Sequence, residues 1–229
     1  MRRHDTDDSI TGRRRRPGRT WLLASHPDPS KRDAERALRL ANETLLHDRT
    51  PETLDTFAVA LAALGEYKEA LRFELDAIDL VLVPTGGGNL AGGCVTAIKA
   101  MQPRASVISV QSTGSPAVTE SFHAGKALER PIDTIADGLV TRVPPRLSMS
   151  VLWRLLDDAW LCTDEELLAA THGLLASAHV LVEPAGAAGL AGACKRLEAV
   201  RGKRVVLILT GANLSTELLQ RALATEPSV

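Results

Sequence analysis

The sequence predicts an α/β fold in which a parallel sheet is covered by helices on both faces. Three features of residues 76 to 229 indicate this fold. Short runs of β-branched and aliphatic residues alternate with segments of helical periodicity. The runs are apolar throughout, as expected of strands that are buried on both faces. A glycine-rich segment lies between the first run and the helical segment that follows it.

Four continuous apolar runs are the predicted strands: Ile78 to Val83, Ser106 to Val110, Val180 to Val182 and Val205 to Leu209. Apolar residues at helical spacing predict helices over residues 90–101, 149–156, 163–177, 186–199 and 215–224. Since each predicted strand is short and each helix follows or precedes one, the connections suit a parallel arrangement.

The N-terminal part of the chain has a different pattern. Residues 1–28 are polar, arginine-rich and without periodicity, which predicts disorder. Apolar residues recur at helical spacing from Ala34 to Leu45 and again from Leu54 to Leu64, so two helices are expected there. A third helical turn is expected from Tyr67 to Leu71.

The run LDTFAVALAALGEYKEAL within residues 29–75 resembles a tetratricopeptide repeat. The resemblance is carried by Ala58 at the expected helix crossing and by Gly65 and Tyr67 at the expected turn. Glu74 stands where that repeat has a bulky aromatic residue, so the match ends there. Because such architectures need about three repeats for stability, this segment should pack on something else or remain partly unfolded.

Composition excludes several classes of function. The chain carries 27 basic and 28 acidic residues, so no overall field would attract nucleic acid or a membrane surface. The arginine run Arg13 to Arg16 is followed by too short an apolar stretch for an export signal, and no stretch approaches the roughly 20 apolar residues of a membrane helix. Three widely spaced cysteines suit reduced, buried thiols. The sequence therefore predicts a cytoplasmic protein without nucleic-acid or membrane partners.

The glycine-rich segment Pro84 to Gly93 is the strongest local signal for a binding site. Consecutive glycines before a helix let backbone N–H groups converge on an anion, which predicts a phosphate site. A tight strand-to-helix turn is the alternative. A dinucleotide site would need an acidic residue about 20 positions later, where the next predicted strand ends in Gln111. The segment also lacks the Gly-Lys-Ser/Thr ending of a P-loop.

Three further segments, read together with VPTGGGNLAGG, resemble the threonine/serine dehydratase branch of the fold-type-II pyridoxal-phosphate enzymes. They are DTIADGL (Asp133 to Leu139), VEPAGAAGLAG (Val182 to Gly192) and GKRVVLILTGANLS (Gly202 to Ser215). The resemblance implies that residues 76–229 form an incomplete three-layer domain, the C-terminal part of the large cofactor domain. It implies pyridoxal phosphate as cofactor and dehydrative deamination of L-threonine or L-serine to a 2-oxo acid and ammonia.

The resemblance assigns eight residues to the cofactor site: Gly86, Gly87, Gly88, Asn89, Asp137, Gly138, Glu183 and Thr210. The first four would cradle the cofactor phosphate, although the family commonly has a fourth glycine where Asn89 stands. Asp137 and Gly138 would lie beside the pyridine ring, and Glu183 would close its other edge near the substrate. Thr210 would place a hydroxyl on the pyridine nitrogen, which suits β-elimination of water because the nitrogen stays unprotonated.

Two functional groups of that family are missing from this sequence. Gln111 stands where some relatives have a metal-binding glutamate, and a neutral amide is a poor replacement, so no metal site is expected. The Schiff-base lysine of the family lies in a Ser-x-Lys motif well upstream of the glycine segment. Lys31 and Lys68 precede that segment here, and neither lies in such a motif. The chain alone is therefore predicted to be inactive and to lack the covalent bond that retains the cofactor.

Three accounts of function follow. In the first, the chain is part of a lyase for a small amino-acid substrate and works with a complementing N-terminal half or as a homo-oligomer. In the second, it is a non-catalytic binding or scaffold module whose repeat-like helices dock a partner. In the third, it is an α/β enzyme that binds a nucleotide such as NAD through the glycine segment.

Overall fold

A computed structural model describes residues 23–47, 51–66, 69 and 78–228. The chain divides into two compact units, Met1–Glu74 and Leu75–Val229. The described part of the first unit is helical, and the described part of the second is an α/β domain.

The first unit contains helices α1 (Ala34–His47) and α2 (Pro51–Ala63). Small buried residues, among them Ala37 and Ala60, lie in their shared core, which lets the two helices approach closely. The two helices expected from apolar spacing are thus present. Of residues 1–28, which were expected to be disordered, residues 1–22 fall outside the described residues, whereas residues 23–25 are helical and Ala24 is buried. The expected turn at 67–71, apart from Glu69, also falls outside the described residues, and the tetratricopeptide assignment stays a prediction.

The second unit is built on a four-stranded sheet with the order β3-β2-β1-β4. The strands are β1 (Leu80–Pro84), β2 (Ser106–Ser112), β3 (Asp158–Cys162) and β4 (Val205–Leu207). All three neighbouring pairs are parallel, with Leu80 opposite both Ser106 and Val205, and Ile108 opposite Asp158. The predicted parallel α/β class is confirmed.

The helices of this unit are α3 (Asn89–Met101), α4 (Ala117–Ala124), α5 (Arg146–Leu155), α6 (Asp164–Gly173), α7 (Ala188–Lys195), α8 (Leu197–Val200) and α9 (Thr216–Ala224). A 3₁₀ turn spans Asp137–Leu139, and one π-helical stretch, Leu174–Ala178, continues α6. Across the described segments, no helix has both the length and the apolar character that crossing a bilayer requires.

Alternate residues of β1 enter two separate cores, one on each face of the sheet. Leu80 and Leu82 pack with residues of α6 and α7, whereas Val81 and Val83 pack with residues of α3 and α5. Because successive side chains of a strand point to opposite faces, a strand that is apolar throughout can supply both cores. This explains why the central strand reads as an unbroken apolar run.

The predicted strand from Val180 to Val182 is wrong. The left-handed residue His179 (φ 57°) redirects the chain after the π-helical stretch, and no ladder forms along the run. The residue after this run is hydrogen-bonded to the segment after β4, since the Glu183 N–H donates to the Gly211 carbonyl over 3.1 Å. Strand β3 and helix α4, by contrast, form without having been predicted.

The three cysteines lie in the second unit and form no disulfide within the described chain. Burial raises the pKa of the Cys162 thiol to about 12, and the nearby Glu166 carboxylate acts in the same direction. Burial also raises the pKa values of Cys94 and Cys194. These thiols are therefore protonated and poorly nucleophilic at neutral pH.

Candidate functional site

A cavity of about 260 Å³ opens where the chain leaves the carboxyl ends of β1 and β4. Its lining includes seven of the eight residues assigned to the cofactor, namely Gly86, Gly87, Gly88, Asn89, Gly138, Glu183 and Thr210. Carboxyl ends of parallel strands are where open α/β sheets bind ligands, since the connecting loops meet there. The structure thus brings together segments that are far apart in the sequence.

The glycine segment turns directly from β1 into α3. Gly88 precedes the first helical residue and has a φ of 85°, in the left-handed region that favours glycine. Thr85 anchors the start of the turn, because its N–H donates to the Val110 carbonyl over 2.9 Å and its hydroxyl to the Val83 carbonyl over 3.0 Å. The segment is therefore a fixed turn at the wall of the cavity.

The backbone N–H groups of Gly86, Gly87, Gly88 and Asn89 donate no hydrogen bond to any residue that the structure describes. They lie at the N-terminus of α3, where the helix dipole adds partial positive charge. Donors that no carbonyl of the described residues accepts are suited to bind an anion in the cavity.

Gly138 closes one side of this turn. A Cβ atom on Gly86 would lie 2.7 Å from the Gly138 carbonyl oxygen, and a Cβ atom on Gly138 would lie 2.9 Å from that of Ala185. Both distances are too short for real Cβ contacts, so glycine is required at both positions. Gly86 and Gly138 thus let three chain segments meet at the cavity.

The 3₁₀ turn that carries Gly138 is held in place by Asp164 at the start of α6. The Asp164 carboxylate accepts from the Thr134 hydroxyl over 2.6 Å and from the Ile135 N–H over 2.9 Å. The Ser112 hydroxyl at the end of β2 also donates to it, over 3.3 Å. Sequence reasoning missed Asp164, because its position after the capping residue Thr163 suggests only a helix start.

Asp137 is the one assigned residue outside this cavity lining. It lines a neighbouring cavity of about 330 Å³ together with Glu183 and Asn213, and its carboxylate accepts from the Gly138 N–H over 2.7 Å. Glu183 lines both cavities. Asp137 therefore supports the turn beside Gly138.

Glu183 is fixed by the segment that follows β4. Its carboxylate accepts from the Asn213 N–H over 3.1 Å, and a Cβ atom on Gly211 would lie 2.5 Å from that carboxylate. Thr210, which precedes this glycine, lines the cavity, and its hydroxyl has no hydrogen bond to the described residues. A carboxylate and a free hydroxyl thus lie on the wall of the cavity formed by the last two segments.

Gln111 connects the glycine segment to α4. Its side-chain amide donates to the Gly86 carbonyl over 3.4 Å and accepts from the Thr119 N–H over 3.1 Å, and the residue is fully buried. Both ends of the amide therefore serve as structural links. Within the described ranges, no group of three or more His, Cys, Asp or Glu side chains is placed to hold a metal ion.

Ser148, on α5, also contacts the glycine segment and was missed by sequence reasoning. Its hydroxyl donates to Asn89 Oδ1 over 2.7 Å. A Cβ atom on Gly88 would lie 3.1 Å from that of Ser148 and 3.0 Å from Leu152 Cδ1, so Gly88 also allows α5 to approach. No sequence signal marks this contact, because the two residues are 59 positions apart.

The family model described as "Pyridoxal-phosphate dependent enzyme" matches residues 22–211, and the chain belongs to this family. The match includes α1 and α2 as well as the segments that line the cavity. The resemblance found in the four sequence segments is confirmed at the level of the family.

Two relatives whose names state an activity are similar in sequence to this chain. The L-threonine ammonia-lyase of Thermotoga maritima is 33% identical over 164 residues, which are 70% of this chain and 40% of the relative. The catabolic L-threonine dehydratase of Escherichia coli K12 is 33% identical over 157 residues, 67% of this chain and 48% of the relative. The chain thus spans less than half the length of these two relatives.

The processed form of threonine deaminase isoform 2 from Solanum lycopersicum has a similar solved structure. The TM-score is 0.63 at 26% identity, and the likeness covers 72% of this chain and 47% of that one.

The residues of the cavity fit the phosphate group of the family's cofactor. The N–H groups of the turn, which donate to no described residue, supply hydrogen-bond donors for the phosphate. The left-handed conformation of Gly88 lets the chain turn from β1 into α3. The short distance from Gly86 to Gly138 leaves no room for a side chain between them.

Proposed function

We propose that this chain is the cofactor-phosphate-binding part of a pyridoxal-phosphate-dependent ammonia-lyase for L-threonine or L-serine. The observation that carries this proposal is the turn from Gly86 to Asn89, which lines a cavity together with Gly138 and whose N–H groups donate to no described residue. Further support comes from relatives named as L-threonine ammonia-lyase and L-threonine dehydratase.

In this proposal the cofactor, when bound, supplies an electron sink for the α-carbon of the amino acid. The turn from Gly86 to Asn89 would hold its phosphate, and Asp137 and Gly138 would lie beside its ring. The Thr210 hydroxyl, which has no described partner, would donate a hydrogen bond to the ring nitrogen and leave it unprotonated. Glu183 would close the other edge of the ring near the substrate.

We further propose that a complementing N-terminal half supplies the Schiff-base lysine and the remainder of the site. The sequence has no Ser-x-Lys motif, and the chain corresponds to 40% and 48% of the two relatives compared. On this account the chain alone has no turnover.

Ligand preference tests the proposal. Equilibrium binding of pyridoxal phosphate and of NAD to the full chain should show binding of the first only, and Gly88→Ala should weaken it because a left-handed φ becomes strained. Gly93→Ala is the matched control, since nothing lies within 4 Å of a Cβ there. Binding of NAD alone would support a nucleotide-binding enzyme, and binding of neither would support a non-catalytic module.

Reduction with borohydride tests whether the chain, without another polypeptide, is inactive. After incubation with pyridoxal phosphate, peptide mapping should show scattered, substoichiometric labelling of lysines, with no 2-oxo acid formed from threonine or serine. A single lysine labelled once per chain, together with turnover, would contradict the proposal that another polypeptide supplies this lysine.

A further inference from the structure

The side chain of Asn89 is held at one end only. Its Oδ1 accepts from the Ser148 hydroxyl over 2.7 Å, whereas its Nδ2 has no hydrogen bond with the described residues. Asn89 lines the cavity and is solvent-exposed, while Ser148 is only 5% exposed. One end of the amide is thus fixed from the protein interior, and the other is available at the cavity.

We propose that Ser148 is a positioning residue that orients the Asn89 amide so that Nδ2 donates to the cofactor phosphate. The inference rests on the proposed function and deepens it. It gives the phosphate cradle a side-chain donor in addition to its backbone N–H groups. It also explains what replaces a fourth glycine at this position.

The orientation of the amide decides whether Asn89 attracts or repels an anion. Nδ2 is a donor and binds phosphate oxygens, whereas Oδ1 is an acceptor and repels them. Without a partner the Asn89 side chain could turn away from the cavity. The Ser148 hydroxyl holds one end of the amide, because a hydroxyl can donate to Oδ1 or accept from Nδ2. A bound phosphate then favours the orientation in which Oδ1 accepts from Ser148 and Nδ2 donates to the anion.

The packing of α5 keeps Ser148 in place. Met149 and Leu152 of the same helix are 1% and 0% exposed and belong to the core shared with α3. Gly88 allows this close packing, since a Cβ atom there would lie 3.1 Å from that of Ser148. The hydroxyl therefore meets Asn89 from a rigid helix.

A purely structural role is the competing account, in which the hydrogen bond only joins α5 to α3. The two accounts differ in whether the effect of Ser148 on binding depends on the phosphate group of the ligand. Positioning affects only ligands that carry a phosphate, and it requires Asn89. A structural link would affect all ligands of the cavity and would act whatever residue stands at position 89.

The test measures equilibrium binding of pyridoxine 5′-phosphate and of pyridoxine to the full chain. These probes differ only in the phosphate, and neither has an aldehyde that could react with lysines. The variants are Asn89→Gly, Asn89→Asp, Ser148→Ala and the double variant Asn89→Gly/Ser148→Ala. Ser150→Ala is the matched control, because this exposed serine of α5 donates to the Leu147 carbonyl instead. Thermal unfolding checks that each variant is folded.

We expect Asn89→Gly to weaken binding of pyridoxine 5′-phosphate about tenfold and Asn89→Asp to weaken it more, because a charged acceptor replaces a donor. Ser148→Ala should weaken it about threefold to fivefold, since the amide is then free to rotate. The double variant should bind no more weakly than Asn89→Gly. Pyridoxine binding should be unchanged in all variants, and Ser150→Ala should bind both probes normally.

Three results would overturn the inference while leaving the cofactor site intact. These are wild-type binding of the phosphate ester by Asn89→Asp, a loss for Ser148→Ala that persists in the Asn89→Gly background, or an equal loss for both probes. Should Ser148→Ala fail to fold, Ser148→Cys takes its place in both backgrounds, because a thiol is of similar size but only a weak donor. A wild-type chain with no preference for the phosphate ester would overturn both the cofactor site and this inference.

Discussion

The Gly138 carbonyl oxygen lies where it would be only 2.7 Å from a Cβ atom on Gly86. This closeness joins the turn after β1 to the 3₁₀ turn before α5, two segments that the sequence analysis assigned to one site. Neither segment tolerates a side chain at the point of contact. The geometry of the cavity therefore depends on this pair of glycines.

Replacing Gly86 by alanine should separate these two segments. We expect Gly86→Ala to lower the free energy of unfolding by about 1–3 kcal/mol, as overpacking does, and to weaken pyridoxine 5′-phosphate binding. Gly93→Ala is the control, because it adds a methyl group in open space within α3 and should stabilise the chain by about 0.5–1 kcal/mol. Denaturant unfolding measures both. Equal stabilities of the two variants would show that the backbone adjusts freely at Gly86.

Asp164 should control the order of the segment from Asp133 to Leu139 without lining the cofactor cavity. Asp164→Ala leaves the Thr134 hydroxyl and the Ile135 N–H without their acceptor, and a donor left without its acceptor costs about 1–3 kcal/mol. Amide hydrogen exchange should become faster in this segment. Glu165→Ala removes the same charge one residue later, so in this variant the amide protection of the segment should remain that of the wild type.

Cys162 should make stability fall in alkaline solution. Burial raises its pKa in the folded chain to about 12 from an ordinary value of 9.0, so between these pH values the unfolded chain loses the proton first. The unfolded state then binds fewer protons, and the free energy of unfolding decreases by at most about 1.4 kcal/mol per pH unit. The contribution is fully present below pH 9. Urea unfolding of wild type and Cys162→Ala from pH 8 to 11 measures it, and parallel curves would refute the assignment.

Thiol labelling of the native chain gives an independent check on Cys162. The thiol should react with a disulfide reagent at pH 8 only after unfolding, because it is fully buried and protonated. Prompt labelling in the native state would mean that β3 opens readily.

Limited proteolysis should cut first near the junction from Glu74 to Asp76. The division between the two compact units falls at Glu74, and boundaries between units carry few contacts. If the first unit leaves apolar surface of the second in water, each exposed Å² costs about 25 cal/mol. The fragment from residue 76 should then bind a hydrophobic dye. One cooperative unfolding transition with a protected junction would show an integrated protein instead.

The glycine segment could be located from sequence because its function lies in the backbone. Consecutive glycines after an apolar run mark a turn with free N–H groups wherever the chain later packs. Gln111 could be excluded as an acidic ribose or metal ligand from its chemistry alone. Its actual contacts with Gly86 and Thr119 could not be read from sequence, because they depend on the packing of α4.

Strand β3 was missed because it begins with Asp158 and contains only a short run of apolar residues. In the structure this carboxylate accepts from the Trp160 indole over 2.7 Å and from the Ala159 N–H over 2.8 Å, and His123 contacts it over 3.1 Å. Burial raises the pKa of Asp158, but these hydrogen bonds outweigh it and leave the pKa lowered. A polar residue can thus begin a strand when local hydrogen bonds and a contact from another helix satisfy it.

The opposite error occurred from Val180 to Val182. These residues have high strand propensity, yet propensity describes a fit to a sheet surface and does not supply a partner. Ser148 and Asp164 were missed for a related reason. Their contacts span 59 and 30 positions, and local pattern carries no information at such separations.

The cavity takes its walls from segments that begin at Pro84 and end at Thr210. No proteolytic fragment shorter than this span contains the complete set of walls, so a ligand of the cavity recognises only the assembled unit. Such a ligand stabilises the folded state by about 2.7 kcal/mol at a concentration one hundred times its Kd, and this gain belongs to the whole unit. The amount of phosphate ester bound therefore measures the fraction of the expressed chain that has reached its native fold. This measurement can be made in a crude lysate and needs no enzymatic assay.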